Sequence, residues 1–135
     1  MGAVAGSSQT PLAEKLGVGI GTEVVVLDRP DDVDLDLPGG AVTRGQLRGS
    51  ADVVVAFETR LAHLEGRFER LAAAIFPAGG LWVAWPKRSS GVPTDITDDR
   101  VRQLAIPRGL VDNKVCAVDG TWTALRVVWR REHRT

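Results

Sequence analysis

The densest group of chemistry-bearing residues in this 135-residue chain is PKRSSGVPTD, residues 86–95. Lys87 and Arg88 supply cations, Ser89 and Ser90 supply hydroxyls, and Thr94 with Asp95 stands where a helix is expected to begin. Cations beside the free amides of a helix start make an anion pocket. Asp95 works against this, because a carboxylate there can itself cap the helix dipole. Glu58, Thr59 and Arg60 leave a neighbouring strand, and Trp122 approaches from a hairpin, so all are expected at one end of a sheet. The plain alternative is a solvent-exposed loop ahead of a capped helix.

Other candidates are thinner. Five aspartates fall between Asp28 and Asp36, and Asp32, Asp34 and Asp36 have the spacing that opens a calcium loop. Such a loop needs Gly and then Glu where Leu37 and Thr43 stand, so a solvated acidic loop is expected and no metal site. The two histidines are His63, on a helix, and His133, in a basic tail; no G-x-S-x-G elbow accompanies them. Cys116 lies inside an apolar run and reads as a small buried hydrophobe rather than a nucleophile. Asp112 and Lys114 are expected to pair with each other or with a helix. Of the four tryptophans, Trp82 and Trp85 point to opposite faces of one strand, and Trp122 is the candidate for an exposed recognition aromatic.

These residues need a scaffold, and the chain spells one out. TPLAEKLG reads as a short helix with Thr10 as cap and Gly17 as its end. VVV at 24–26, ADVVVAF at 51–57 and GLWVAW at 80–85 are short runs apolar on both parities, as strands covered on both faces should be. AVTRGQL fits a short strand near an edge. From Arg60 to Phe76, Leu61, Leu64, Phe68, Leu71 and Ile75 recur at helical spacing, and Pro77, Gly79 and Gly80 stop the helix. A second helix is expected to start near Thr94 or Thr97 and to end at Pro107 and Gly109. NKVCAV and TWTALRVVWR flank Asp119-Gly120, a strong hairpin signal. Alternating strands and helices predict a Rossmann-like three-layer α/β sandwich: a mostly parallel sheet of about six strands with an antiparallel C-terminal hairpin strand. Residues 1–10 read as a flexible lead-in to one domain over 11–135.

Composition narrows the function classes. Lys+Arg and Asp+Glu both count 17, a net charge of zero. A general nucleic-acid binder would need surplus cations, so no nucleic-acid partner is expected. No apolar run approaches the ~20 residues of a membrane span, and MGAVAGSSQT lacks an export signal, so no membrane partner and a cytoplasmic location are expected.

GGLWVAWPKRSSGVPTDIT (79–97), GLVDNKVCAVDGTWTALRVVWRREH (109–133) and KLGVGIGTEVVVL near the start together resemble the small actinobacterial proteins catalogued as domain of unknown function 3052. That resemblance implies no activity, substrate or cofactor. More loosely, the element order is similar to the C-terminal half of the S-adenosylmethionine-dependent methyltransferases. Such cofactors, like dinucleotides, sit on glycines that follow the first strand. Here Gly17, Gly19 and Gly21 precede it, and DRPDDVDLD follows with no glycine and a negative surplus that repels a pyrophosphate. The expectation is a methyltransferase-like topology without the cofactor motif, and no cofactor. Function then reads as a non-catalytic binding or regulatory module, leaning away from an enzyme. Its site would be Lys87, Arg88, Ser89, Ser90, Thr94, Asp95, Glu58, Thr59 and Trp122, taking a small anionic ligand or a protein partner. A homo-oligomer, a homodimer for example, is expected. The alternative is an enzyme acting on a small phosphate- or carboxylate-bearing substrate at the same loop, with Lys87 on the anion and Glu58 or Asp95 as base.

Overall fold

The computed structural model describes residues 10–135. The expected lead-in therefore lies, but for Thr10, outside the described residues. Among the described residues nine α-helices and β-strands follow in chain order: α1 (Leu12–Leu16), β1 (Glu23–Leu27), β2 (Val42–Arg44), β3 (Val53–Phe57), α2 (Leu61–Ile75), β4 (Gly80–Pro86), α3 (Asp98–Ala105), β5 (Leu110–Ala117) and β6 (Trp122–Trp129). The strands form one mixed sheet in the order β2-β1-β3-β4-β6-β5. The first four run parallel, and β6 is antiparallel to both of its neighbours. The α/β fold with a mostly parallel sheet and antiparallel C-terminal strands is thus the one the sequence predicts. What the hairpin signal did not specify is the insertion of β6 between β4 and β5, which puts β5 at the edge.

The apolar runs explain the layering. On one face α2 and α3 bury Leu64, Phe68, Leu71 and Val101 against Val25, Val54, Leu81, Val83, Trp85 and Leu125. On the other, Leu16 of α1 joins Val33 and Leu35 over Val24, Val55 and Trp82. Trp82 and Trp85 do occupy opposite faces, and the Trp82 indole donates a 2.9 Å hydrogen bond to the Leu16 carbonyl. No helix connects β1 to β2; the acidic segment crosses as coil, held in place because Val33 and Leu35 alternate with exposed aspartates.

Two local expectations are corrected. Of the two expected starts for the second helix, Thr97 is the cap, its hydroxyl accepting from the Arg100 amide with the helix beginning at Asp98, so Thr94 and Asp95 precede it rather than open it. Trp122 is only 9% exposed and packs edge-on against Phe57, with ring centroids 5.2 Å apart, so it is not an exposed aromatic. Asp112 takes the helix alternative, bonding Arg102 of α3 at 3.0 Å.

The turn from α2 into β4 is tight for a specific reason. A Cβ on Gly79 would lie 2.8 Å from the carbonyl oxygens of both Ala51 and Asp52. Backbone cannot swing aside as a side chain can. Gly79→Ala is expected to cost ~1–3 kcal/mol, read as a lower urea midpoint at unchanged slope.

Candidate functional site

The sheet order creates a topological switch point. From β1 the chain passes to β2 on one side, then returns to β3 on the other, so a crevice opens over the carboxyl ends of β1 and β3. Each strand delivers one carboxylate there: Asp28 directly follows β1 and Glu58 directly follows β3. Four residues apart on α2, His63 and Arg67 share one helix face and meet these carboxylates.

Glu58 is the centre of the cluster. It is 2% exposed, the one charged residue in the buried set of the described residues. Its backbone amide is tied to the Ala84 carbonyl of β4 at 2.8 Å, which fixes where the side chain starts. Oε1 lies 2.6 Å from His63 Nδ1, and Oε2 accepts from Arg67 Nε at 2.7 Å. Arg67 Nη2 sits 2.7 Å from Glu58 Oε2 and 2.9 Å from Asp28 Oδ2, ion contacts whose angles fall outside those of hydrogen bonds. Both oxygens of the buried carboxylate are therefore engaged, which is the condition for burying such a charge. The His63 side chain remains 58% exposed. With Nδ1 held by a carboxylate, Nε2 is the ring nitrogen left to take a proton.

The cluster borders an open cleft of about 490 Å³ lined by Asp28, Pro30, Phe57, Glu58, Thr59, Arg60, His63 and Trp122. Four of the residues that the sequence placed at this end of the sheet are here: Glu58, Thr59, Arg60 and Trp122. Arg88, Thr94 and Asp95 instead border a second cleft of about 560 Å³, floored by Trp85, Pro86 and Ile96. The loop between is occupied with its own structure. The Lys87 amide bonds the Thr121 carbonyl, and the Ser90 hydroxyl donates to the Lys87 carbonyl at 2.7 Å while accepting from Val92. Ser89 is exposed on a single 3₁₀ turn, Arg88–Ser90. Thr94 donates to the Thr59 carbonyl at 2.7 Å, and Asp95 accepts from the Leu61 amide at the same distance. Asp95 thus caps α2, not the helix that follows it in sequence.

His63, Arg67 and Asp28 were missed as site residues. Their signal was present but diffuse: a charged residue directly after each of two buried strands, and a His/Arg pair off the apolar stripe of α2. Elsewhere chemistry is scarce. Cys116 is buried, and burial pushes its thiol pKa up, away from the reactive thiolate. No group of three or more His, Cys, Asp or Glu among the described residues could hold a metal ion, and none of their helices is long and apolar enough to cross a membrane.

No family model matches the chain, and no curated protein matches it. Solved structures do. The magnesium protoporphyrin IX methyltransferase ChlM from Synechocystis PCC 6803, with bound SAH, is 10% identical with a TM-score of 0.58, over 82% of this chain and 75% of that one. A SAM-dependent methyltransferase from Aquifex aeolicus is 13% identical with a TM-score of 0.57, over 84% and 85%. LepI in complex with SAM is 13% identical with a TM-score of 0.54, over 88% of this chain but 39% of LepI. At such identities the likeness establishes the fold.

These neighbours correct the expectation of a non-catalytic binding or regulatory module that leans away from an enzyme: the fold is shared with catalytic methyltransferases. They also correct the description of a topology without a cofactor motif, since structures of this fold hold SAH and SAM. Asp28 itself adopts φ 58°, the left-handed conformation that glycine ordinarily provides, so the chain reverses after β1 without a glycine. The remaining aspartates of the segment after β1, Asp31, Asp32, Asp34 and Asp36, line a separate hollow and not this cleft.

Proposed function

We propose that this protein is a methyl-transferring enzyme that works in the cleft over the carboxyl ends of β1 and β3, with His63 as general base. The observation that carries the reading is the 2.6 Å contact between His63 Nδ1 and a fully buried Glu58 at the switch point. An ionised carboxylate only accepts, so it holds the imidazole with Nδ1 protonated and Nε2 free. Glu58 also stabilises the imidazolium that forms when Nε2 takes a proton. Arg67 holds Glu58 in place and offsets the cost of its burial.

The residues present fit an S-adenosyl donor. Asp28 and Glu58 bring two carboxylates to the cleft, offset by Arg67 behind them and Arg60 on its lining, and the nearly buried Phe57 and Trp122 rings give it an apolar floor. The coil that follows β1 has no helix N-terminus, the feature that favours phosphate anions. When bound, the donor supplies an electrophilic methyl group. His63 would remove the proton of an acceptor O–H, N–H or S–H, making the acceptor the nucleophile.

The proposal has three further parts. The enzyme would act in the cytoplasm; the loop 86–95 would contribute Arg88 and Thr94 to the acceptor side; and the proposal extends to the small actinobacterial proteins that the chain resembles over 79–97 and 109–133.

Calorimetric titration with S-adenosylmethionine and S-adenosylhomocysteine, paired with thermal unfolding, tests this. At a hundred times Kd the ligand should add ~2.7 kcal/mol of stability, and Asp28→Lys should remove that gain. No heat and no stabilisation at millimolar ligand would defeat the proposal.

A further inference from the structure

We propose that Asp95 is a positioning residue for His63: a cap supplied from the β4–α3 loop that holds the first turn of α2 where the imidazole meets Glu58. This rests on the enzymatic reading for its consequence, but the geometry stands apart from it. A helix leaves its first four amides without intrahelical partners. At the start of α2 the N-cap residue is Arg60, whose side chain makes no capping bond, and the first turn contains no acidic residue. The missing acceptor comes from 34 residues further along: Asp95 Oδ1 receives the Leu61 amide at 2.7 Å. Its neighbour Thr94 donates to the Thr59 carbonyl at 2.7 Å and receives the Ile96 amide at 3.1 Å, so the loop grips the β3–α2 junction twice.

That junction separates Glu58 from His63. The first side of the dyad is anchored by β3 and by the Ala84 carbonyl. The second rides on the turn that Asp95 caps, and its own amide bonds only back to the Arg60 carbonyl at 3.1 Å. Arg67 lies one turn deeper, beyond the reach of a frayed end. Loss of the Asp95 acceptor should therefore release His63 from Glu58 while leaving Arg67 on it.

The test uses the full chain as wild type, Asp95→Ala, Asp95→Asn and Thr97→Ala. The last removes the cap of α3, a bond of the same kind in the same loop, with no link to His63. Long-range nitrogen–proton NMR of the two histidine rings, with His63 identified by His63→Gln, reads which ring nitrogen carries the proton. Wild type, Asp95→Asn and Thr97→Ala should show one fixed pattern with Nδ1 protonated, and Asp95→Ala a tautomer mixture. With turnover in hand, Asp95→Ala should lower kcat by roughly tenfold to a hundredfold at little-changed KM, and Asn should restore it. An unaltered His63 pattern in Asp95→Ala, or an equal disturbance in Thr97→Ala, overturns the proposal. A shifted pattern in a protein that binds no S-adenosyl donor would uphold the positioning role and defeat the functional reading alone.

Discussion

Replacing Arg67 by Met is expected to lower the free energy of unfolding by about 3–5 kcal/mol. The guanidinium is nearly buried, its side chain 13% exposed, and the Glu58 side chain it contacts is 1% exposed. Met keeps much of the aliphatic stem but strands a buried carboxylate whose remaining partner is an imidazole at the surface. The double variant Glu58→Gln/Arg67→Met should be more stable than Arg67→Met alone, because the uncompensated charge is gone. Urea unfolding of the two single variants and the double gives the coupling. Simple additivity would mean that the pair is a neighbourly contact rather than a mutual condition for burial.

His63→Ala should act mainly on the opposite quantity. Its side chain is more than half exposed, and its loss leaves Glu58 Oε1 without that partner, so stability should fall by ~1–3 kcal/mol, less than for Arg67→Met. Turnover should fall by a factor of about 10²–10⁴, the usual worth of a positioned general base. The assay is formation of S-adenosylhomocysteine with a panel of hydroxyl, amine and thiol acceptors. An acceptor whose proton has already left at the assay pH should lose far less in the variant than one that needs the base. A uniform loss across the panel would point to binding instead of proton removal.

The two variants separate roles that the geometry joins. Arg67 keeps a charge inside the protein, and that charge orients the base. Stability is thus invested in a group whose use is local to the cleft, a common arrangement where a titratable site is built into a fold.

Much of the architecture was legible in the residues. The runs at 24–26, 51–57 and 80–85 declare buried strands because both parities are apolar, and the stripe from Leu61 to Ile75 declares α2 because its spacing is helical. Asp119-Gly120 declares the hairpin because its turn chemistry is local. Glu58, Thr59 and Trp122 were correctly placed at one end of the sheet for the same reason: strand direction follows from alternation with helices.

The tertiary structure decided what no local pattern encodes. Asp28, Glu58, His63 and Arg67 become one cluster only once β1 and β3 lie side by side, with α2 crossing above them. Asp95 looked like the cap of the next helix because capping signals are read along the chain. In the folded protein the nearer unsatisfied amide is Leu61, brought close by packing, and the carboxylate goes there. Periodicity and turn preference act between neighbours in sequence, so they determine elements. Which polar groups satisfy one another is settled by distance in space, and that exists only after the sheet has formed.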